Sequence, residues 1–584
     1  MKPRGDFAAN RRLILLSVIA VFIGAVCAFV AVLLLKMIDF FTNLFYYHQF
    51  SLSSRSPADS PLGLWMILVP VIGGLIIGFM ARYGSEKIRG HGIPEALEAI
   101  LFGKSIMQPK IAILKPLSSA ISIGSGGPFG AEGPIIMTGG AFGSIIAQSF
   151  HLTAAERKTL LVAGAAAGMS ATFASPIAAV LLAVELLLFE WKPRSLVPVA
   201  FASAVAAAVR PHLLGAGPLF PVPAHAIVAW PGLLASVIVG LIAGAFSFLM
   251  STSLYKVEDT FEHLPFHWMW WPAIGGLIVG TGGYFEPRAL GVGYDVIGDL
   301  LQGHLAVSVV LGLILVKCVI WIISLGSGTS GGVLAPLLMM GCGLGVIEST
   351  FLPGGSISLW PLVSMAAVLG GMMRSPFMAI IFALELSHDI NALPPLLIAT
   401  MTAYAFTVLV MKRSILTEKV ARRGYDIFRE YGVDPLEKCR ISEAMTQTVV
   451  SIPGSLPARE ISKQYFSLKN KHRGYPVMDD GGNLLGILTV SDILGESSLE
   501  ASETLKACDL VKEAPIIAYP EETCREAAER MATLGVGRLP IMSRENPKKL
   551  VGILTRSDLL KPRLLHFEEE KNAQRYPRNK RGLP

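Results

Sequence analysis

The stretch "GSGGPFGAEGP", residues 124–134, holds five glycines and one carboxylate, Glu132, with no other charge. Apolar chain lies on both sides of it. The 584 residues are 52% hydrophobic and only 16% charged. A soluble protein of this length would need a larger share of polar residues to cover its surface. We therefore expect Glu132 to lie in a membrane-embedded segment, not in the glycine-rich loop of a soluble enzyme.

Long apolar runs recur from Leu13 to about Met411 and then stop. Several are too short, or too interrupted by Gly, Pro and Ser, to cross a hydrocarbon core of roughly 30 Å as one straight helix. Broken helices at membrane depth are tolerated where the freed backbone faces protein or a wet cavity, so the breaks indicate a pathway. The predicted spans are 13–35, 62–82, 229–250, 269–284, 305–325, 358–373 and 391–411.

Basic residues flank the apolar part of the chain at both ends. The first run has no small-residue cleavage site, so we expect a retained helix with its N-terminus in the cytoplasm. These clusters predict an integral, multi-pass protein of the plasma (inner) membrane, in contact with lipid, with both termini cytoplasmic. They also account for part of the net charge of +7, which therefore does not indicate a nucleic-acid partner. The clusters are Lys2, Arg4, Arg11 and Arg12, then Lys412, Arg413, Lys419, Arg422 and Arg423.

The membrane part contains an internal repeat. "VPVIGGLIIG" ends at Gly78 and "WPAIGGLIVG" ends at Gly280, an offset of 202 residues, and "GSG" at Gly124 returns at Gly326 with the same offset. "SPIAAVLLAVEL" from Ser175 matches "SPFMAIIFALEL" from Ser375 with an offset of 200. Duplicated membrane halves usually place the substrate site near the midplane, where half-helices of the two repeats meet.

Three glycine-rich turns each precede a predicted helix: "GHGIPE" (90–95), "GAEGP" (130–134) and "GVLAP" (332–336). A helix start presents unpaired N–H groups and the positive end of the helix dipole, and glycine lets an ion approach the backbone. Three converging starts would bind an anion without lysine or arginine. Glu132 could occupy that site when ionised and leave it when displaced, as a gate; the alternative is that it caps a helix.

These three motifs, in this order and at these distances, resemble the signature motifs of the CLC chloride channels and chloride/proton antiporters. The resemblance covers residues 12 to 425. It implies a mostly α-helical polytopic membrane protein with an inverted repeat of broken helices, which forms a homodimer with one anion pathway per subunit. By position, Glu132 matches the family's gating glutamate, the amides of Val333 and Leu334 match chloride-coordinating backbone, and Gly92 and Ile93 fall on the first motif.

Three positions depart from the family pattern. His91 stands where many members have a chloride-binding serine, Leu334 where they have phenylalanine, and Leu416, in "RSILTEKV", where a pore tyrosine is usual. The hydroxyl groups that would hold a central chloride are therefore missing. Backbone donors remain, with His91 either replacing the serine as a ligand or capping a helix away from the ion. The expected substrate is chloride or a similar small anion.

The resemblance also bears on proton coupling. Family antiporters commonly carry a second, cytoplasmic glutamate that follows another glutamate near the end of the helix beginning "SPIAAVLLAVEL". Here Glu185 is followed by Leu186, and Glu190 lies about 140° further around an ideal helix. We expect channel-like anion movement, with a proton path through Glu132 and Glu185 as the alternative. The alternative for Glu185 is a packing role through a protonated hydrogen bond.

A second repeat follows Gly424: "YPVMDDGGNLLGILTVSDIL" from Tyr475 and "LPIMSRENPKKLVGILTRSDLL" from Leu539. Each copy is typical of strand, turn, strand and helix. The copies resemble a tandem pair of CBS domains, a cytoplasmic α/β unit that in some relatives binds ATP, ADP or AMP. No cofactor is required by this reading. The threonines and aspartates could instead cap helices. The positions implied for a nucleotide are Tyr475, Val477, Thr489, Asp492, Leu539, Ile541, Thr555 and Asp558.

We divide the chain accordingly into six parts. They are an N-terminal tail (1–12), the membrane domain (13–412, with repeats of about 13–250 and 255–412), a linker (413–438), CBS domain 1 (439–500), CBS domain 2 (501–565) and a charged tail (566–584).

Two other function classes fit less well. A divalent-cation channel with regulatory CBS domains would need rings of carboxylates or carbonyls, whereas the membrane motifs hold one glutamate. A membrane enzyme lacks both a nucleophile with a base partner and the lysine of a phosphate loop. The six cysteines show neither paired spacing nor histidine partners, so we expect free thiols and no metal site: Cys27, Cys318, Cys342, Cys439, Cys508 and Cys524.

Overall fold

The protein divides into two compact units, Met1–Glu430 and Tyr431–Pro584. The computed structural model describes residues 11–425 except 151 and 224, then 427, 436, 439–466, 472–494, 505–511, 514–546, 549–562 and 564. Few residues of 413–438 beyond 425 are described, so the predicted linker boundaries stay predictions. The predicted tail 566–584, and 1–10 of the N-terminal tail, lie outside the described residues.

The first half of the membrane unit folds into helices of very different lengths. Proline at the first turn starts several of them, as at α4 and α7, because its missing N–H has no partner there anyway. The helices are α1 (Arg12–Tyr47), α2 (Leu68–Tyr83), α3 (Ile93–Leu101), α4 (Pro109–Gly124), α5 (Glu132–Gln148), α6 (Ala154–Phe173), α7 (Pro176–Leu182, continued by a π-turn Ala183–Leu188) and α8 (Pro193–Leu214).

The second half repeats this series in the same order, and a last short helix, α17 (Ile415–Arg422), closes the unit. α1 packs against α6 and α8, and α9 packs against α14 and α16 in the same way, which confirms the predicted repeat. The helices are α9 (Trp230–Glu262), α10 (Trp271–Phe285), α11 (Tyr294–Gln302), α12 (Val307–Gly326), α13 (Leu334–Glu348), α14 (Leu359–Met373), α15 (Pro376–Ser387) and α16 (Leu393–Val410).

Gly130 and Gly332 mark where the two halves meet. They pair antiparallel through two backbone hydrogen bonds, from the Gly130 amide at 3.2 Å and from the Gly332 amide at 2.9 Å. The two glycines are equivalent in the repeat, and an antiparallel pair of equivalent residues lies on a local two-fold axis. The halves therefore run in opposite senses, as an inverted repeat requires.

Six helical segments within the described residues are long and apolar enough to cross a membrane. Two predicted spans, 269–284 and 358–373, instead form α10 and α14, of 15 residues each, or about 22 Å. The prediction missed α8 because its many alanines give it little hydropathy. The six segments are Arg12–Tyr47, Gly63–Tyr83, Pro193–Leu214, Trp230–Glu262, Val307–Gly326 and Ile390–Arg422.

The second unit contains two β-hairpins with the same irregularity. β1 (Ile452–Pro453) pairs parallel with β2 (Gly474–Met478), which pairs antiparallel with β3 (Leu484–Thr489). β4 (Arg538–Met542) pairs antiparallel with β5 (Leu550–Thr555), and both hairpins shift register at equivalent positions. The predicted strand–turn–strand repeat is confirmed.

Short helices complete this second unit. The predicted helix after each hairpin is α-helical in the first copy, whereas in the second copy a 3-10 turn, Asp558–Leu560, comes first and helical residues follow at 561–562. The α-helices are α18 (Ile441–Ala444), α19 (Ala458–Tyr465), α20 (Val490–Leu494) and α21 (Cys524–Thr533).

Candidate anion site

The Glu132 carboxylate lies among three helix starts. Glu132 is the first residue of α5 and is fully buried. Its Oε1 accepts a hydrogen bond of 3.1 Å from the hydroxyl of Tyr294, the first residue of α11. The backbone amide of Ala335, in the first turn of α13, also faces the carboxylate. The side chain thus places a negative charge where N–H groups and helix dipoles stabilise one.

Glycine makes room for this carboxylate. A Cβ atom on Gly130 would lie 1.7 Å from Glu132 Oε2, and one on Gly332 would lie 2.9 Å from the same oxygen. A Cβ on Gly133 would lie 2.0 Å from the backbone oxygen of His91, so the starts of α3 and α5 touch through their backbones. The three predicted glycine turns therefore do meet.

The start of α3 differs from the other two. Gly92 has a φ of +86°, which favours glycine, and its amide donates to Glu95 Oε2 at 3.0 Å. The Gly92 amide is thereby engaged by the protein's own carboxylate. His91 is 1% exposed, and neither ring nitrogen has a hydrogen-bond partner within the described part of the chain. An imidazole buried without partners is costly unless something else binds it.

Leu416 is buried on α17, which packs against α3. Arg423, directly after α17, forms ion pairs with Glu95 at 2.6 Å and with Glu98 at 2.8 Å. Lys419, Lys115 and Arg423 all lie close enough to His91 to act on it electrostatically, against one carboxylate, Glu95. The surroundings of His91 are therefore net positive, which favours an anion near its ring.

Two fully buried lysines support the helix starts, and the sequence analysis missed both. Lys115 Nζ, on α4, donates to the backbone oxygens of Ile88 and Gly90, each at 2.8 Å. Lys317 Nζ, on α12, donates to the equivalent oxygens of Ala289 and Gly291, at 2.8 and 3.1 Å. Lys115 also reaches Ser330 Oγ at 3.0 Å. Each lysine thus fixes the loop before a short helix, α3 or α11.

Tyr294 was also missed. It occupies in the second half the position of Ile93 in the first, and its ring packs against Phe173 and Phe220 at 6.0 and 6.1 Å. The Gly293 before it has a φ of +74°, as Gly92 has a positive φ. Extension of the repeat alignment from "RGHGIPE" to "LGVGYDV" would have identified it.

Glu185 lies in the π-turn after α7 and caps the opposite half. Its carboxylate accepts hydrogen bonds from the Ser375 hydroxyl and from the Met378 amide, the latter at 3.0 Å, at the start of α15. The equivalent Glu385 accepts from the amides of Ile177 and Ala178, both at 2.9 Å, at the start of α7. The two carboxylates satisfy helix starts that would otherwise be unpaired.

In the second unit, each aspartate of the repeated "GILTxSD" binds its own threonine. Asp492 Oδ2 accepts from the amide and hydroxyl of Thr489, both at 2.7 Å, and Asp558 Oδ2 accepts from those of Thr555 at 2.9 and 2.6 Å. Burial raises the pKa of Asp558, but hydrogen bonds from Lys561 and Thr555 outweigh it and leave the pKa below its ordinary value. The side chains of Tyr475, Val477, Leu539 and Ile541 lie in the two hydrophobic cores of this unit.

Comparison with known proteins matches a family model to each of the two units. The family model described as voltage gated chloride channel matches residues 73–408, and the CBS domain model matches 441–498 and 507–563. The voltage-gated ClC-type chloride channel ClcB of Citrobacter koseri is 30% identical over 387 residues, which are 63% of this chain and 88% of that protein.

Two solved structures share the fold. A slow cyanobacterial Cl-/H+ antiporter aligns with a TM-score of 0.62 and 21% identity over 71% of this chain and 98% of its own. A eukaryotic CLC transporter aligns with a TM-score of 0.60 and 19% identity over 94% of this chain and 98% of its own. At these identities the likeness concerns the fold.

Proposed function

This chain belongs to the voltage-gated chloride channel (CLC) family, and from that membership we propose that it moves chloride through a membrane pathway gated by Glu132. It is an integral membrane protein with a C-terminal pair of CBS domains, and its family comprises transport proteins, not enzymes. The proposal concerns the gate, the ion and their regulation in this chain.

One observation carries the proposal: the Glu132 carboxylate occupies the space between the starts of α5, α11 and α13. A carboxylate and a chloride ion compete for the same N–H and O–H donors there. Protonation removes the charge that holds the side chain in place, so acid would open the pathway. His91 and the amides of Ile93, Val333 and Leu334 would then contact the passing anion.

The test is chloride efflux from vesicles reconstituted with the full chain, measured from neutral to acidic pH. We expect wild-type efflux to rise on acidification, and Glu132→Gln to give high efflux that does not depend on pH. A Glu132→Gln protein that kept the wild-type pH response would contradict the gate assignment. Glu348→Gln, which changes another buried glutamate outside the site, is the matched control.

We further propose that transport is not coupled to protons. Glu185 is held by the start of α15, and Leu186 beside it is fully buried and cannot ionise. A divalent-cation channel is not favoured, because the family is that of the voltage-gated chloride channels and because the described residues include no group of three His, Cys, Asp or Glu side chains placed to hold a metal ion.

We propose a homodimer in the inner membrane with cytoplasmic termini; the equivalent residues Ile177 and Phe377 expose apolar side chains that a second subunit could cover. We also propose that the CBS pair regulates transport. An adenine nucleotide there would have to replace the threonine contacts of Asp492 and Asp558.

A further inference from the structure

A cavity of about 800 Å³ lies at the end of α1 opposite Arg12. Its wall includes the last turns of α1 and α8, the loop 54–59 and the start of α11. Tyr294, which donates to Glu132, is part of this wall. The cavity therefore reaches the residue that binds Glu132, at the end of α1 opposite the N-terminus.

Arg210, near the end of α8, lines this cavity with a guanidinium that no described carboxylate contacts. It is 6% exposed. Nη1 donates to the backbone oxygen of Gly215 at 2.8 Å, as a cation at a helix C-terminus does, but Nε has no partner. Within the described part of the chain, Arg210 forms no ion pair. A buried charge without a partner is costly, and a bound anion would offset that cost.

The other charged groups of the cavity leave one negative charge in excess, since Lys36 and Arg55 face Asp39, Asp59 and Asp295. Lys36 pairs with Asp39 at 3.3 Å. Arg55 binds Gln49 at 3.0 Å and stacks over Tyr47, while Asp59 and Asp295 supply the remaining negative charges. With Arg210 included, three cations face three carboxylates, so the cavity as a whole does not attract anions. Any anion affinity must come from Arg210 locally.

We propose that Arg210 forms a second anion site, which holds a small inorganic anion such as chloride in this cavity before it reaches Tyr294 and Glu132. The planar guanidinium offers unused N–H donors and a charge that is weakly hydrated, which suits a weakly held ion on its way to the gate. This inference rests on the proposed function, since it names where the transported ion first binds.

Two measurements on the full chain test the site. In reconstituted vesicles, Arg210→Gln should raise the half-saturating chloride concentration for uptake at least threefold and leave the maximal rate within twofold. Arg210→Lys, which keeps the charge and the helix cap, should fall between Arg210→Gln and the wild type. Arg55→Gln removes the same charge from the same cavity and should behave as the wild type. Chloride titration by calorimetry in detergent should show weaker binding for Arg210→Gln alone.

The outcomes separate this inference from the proposed function. A half-saturating concentration unchanged in Arg210→Gln, or raised equally in Arg55→Gln, would overturn the site while leaving chloride transport intact. Absence of chloride uptake by the wild type would overturn the proposed function, and calorimetry would still decide whether Arg210 binds the ion. If Arg210→Gln does not purify as a single species, Arg210→Lys supplies the comparison.

Discussion

The two halves of the membrane unit share their scaffold and differ at the site. In both halves a positive-φ glycine precedes a nine-residue helix, α3 or α11, and a buried lysine binds the loop before it. In both, a glutamate caps a helix start of the other half. These features recur at fixed offsets because each binds backbone N–H or C=O groups that would otherwise lack a hydrogen-bond partner inside a membrane.

The residues at the site break this symmetry. Glu132 corresponds to Leu334, His91 to Val292 and Ile93 to Tyr294. A scaffold with two equivalent helix starts would offer an ion two equal positions. One half instead supplies a carboxylate and the other the hydroxyl that binds it. In a duplicated protein, function is therefore to be sought where equivalent positions hold different residues.

The largest effect is expected from removing the buried lysines. Lys317→Met leaves the oxygens of Ala289 and Gly291 without a described donor, and at about 1–3 kcal/mol per group it should lose about 2–6 kcal/mol of stability. Lys115→Met should lose less, because the Gly90 oxygen keeps the Gly331 amide at 3.4 Å. Thermal unfolding in detergent measures this loss. Only Lys317 acts on Glu132 electrostatically, so only Lys317→Met should also change the pH dependence of efflux.

Lys87→Met, at an exposed lysine beside Ile88, is the control and should change neither property. Equal shifts of the pH dependence in both buried-lysine variants would show that the two lysines act on the gate in the same way, contrary to the asymmetry described above.

Gly130→Ala should disturb the gate without removing it. The new methyl group would occupy the position of Glu132 Oε2, so the carboxylate must leave the helix starts. We expect chloride efflux at neutral pH to rise toward that of Glu132→Ala, with a coupling energy of about 1–3 kcal/mol between the two sites. In the Glu132→Ala background, Gly130→Ala should add nothing to the efflux, because the carboxylate with which the methyl group clashes is absent.

Gly312→Ala, on α12, is the matched control, since nothing lies within 4 Å of the added methyl group. An additive effect of Gly130→Ala in the Glu132→Ala background would mean that the methyl group acts on the backbone and not on the gate.

The reciprocal caps separate a packing role from a proton path. Glu185→Gln and Glu385→Gln should each cost about 0.5–2 kcal/mol, the usual value of a helix cap. If Glu185 only caps α15, Glu185→Gln and Glu385→Gln should also have the same effect on chloride and proton movement. The measurement is proton movement driven by a chloride gradient at equal pH, with the voltage fixed by valinomycin and potassium. Sustained uphill proton movement that only Glu185→Gln abolishes would establish coupling through Glu185.

The smallest effect is expected in the CBS pair. Because the pKa of Asp558 is lowered in the folded state, its carboxylate stabilises the fold above its unfolded pKa, and this contribution is lost as the pH falls through the folded value. Asp558→Asn should therefore lower the free energy of local unfolding of β5 at neutral pH by about 0.5–1 kcal/mol. The β5 amides should then exchange faster at neutral pH, and the substitution should have no effect in strong acid.

Asp492→Asn, at the exposed equivalent, should give a smaller change. Titration with ATP or AMP adds a second readout: we expect Asp558→Ala to abolish nucleotide binding while chloride flux continues. An unchanged affinity would leave the aspartate with its capping role alone.

Sequence predicted the features that depend on neighbouring residues. The glycine turns at 90–95, 130–134 and 332–336 are local signals, and the structure brings all three together. Tyr294 lies 162 residues from Glu132 in the chain, and no local pattern connects them. The repeat did contain the information for Tyr294 and Lys317, because each stands at the offset of a residue in the first motif or helix.

Other features could not be resolved from sequence for physical reasons. The alanine-rich α8 owes its position to packing against α1 and α6 more than to hydropathy. Arg210 looks like an ordinary flanking cation, because burial is not visible in the sequence. The pattern "GILTxSD" fits a cap and a ligand equally, since both use the same carboxylate geometry.

The reciprocal caps also constrain how the protein is made. The Ala178 amide at the start of α7 gains its hydrogen-bond acceptor only when Glu385, 207 residues further along the chain, has been synthesised. At a synthesis rate of about 5–20 residues per second, that interval is roughly 10–40 s. During this time the first half is in the membrane with the start of α7 uncapped, so a nascent chain interrupted before residue 385 exposes a target that quality-control proteases and insertion chaperones can recognise.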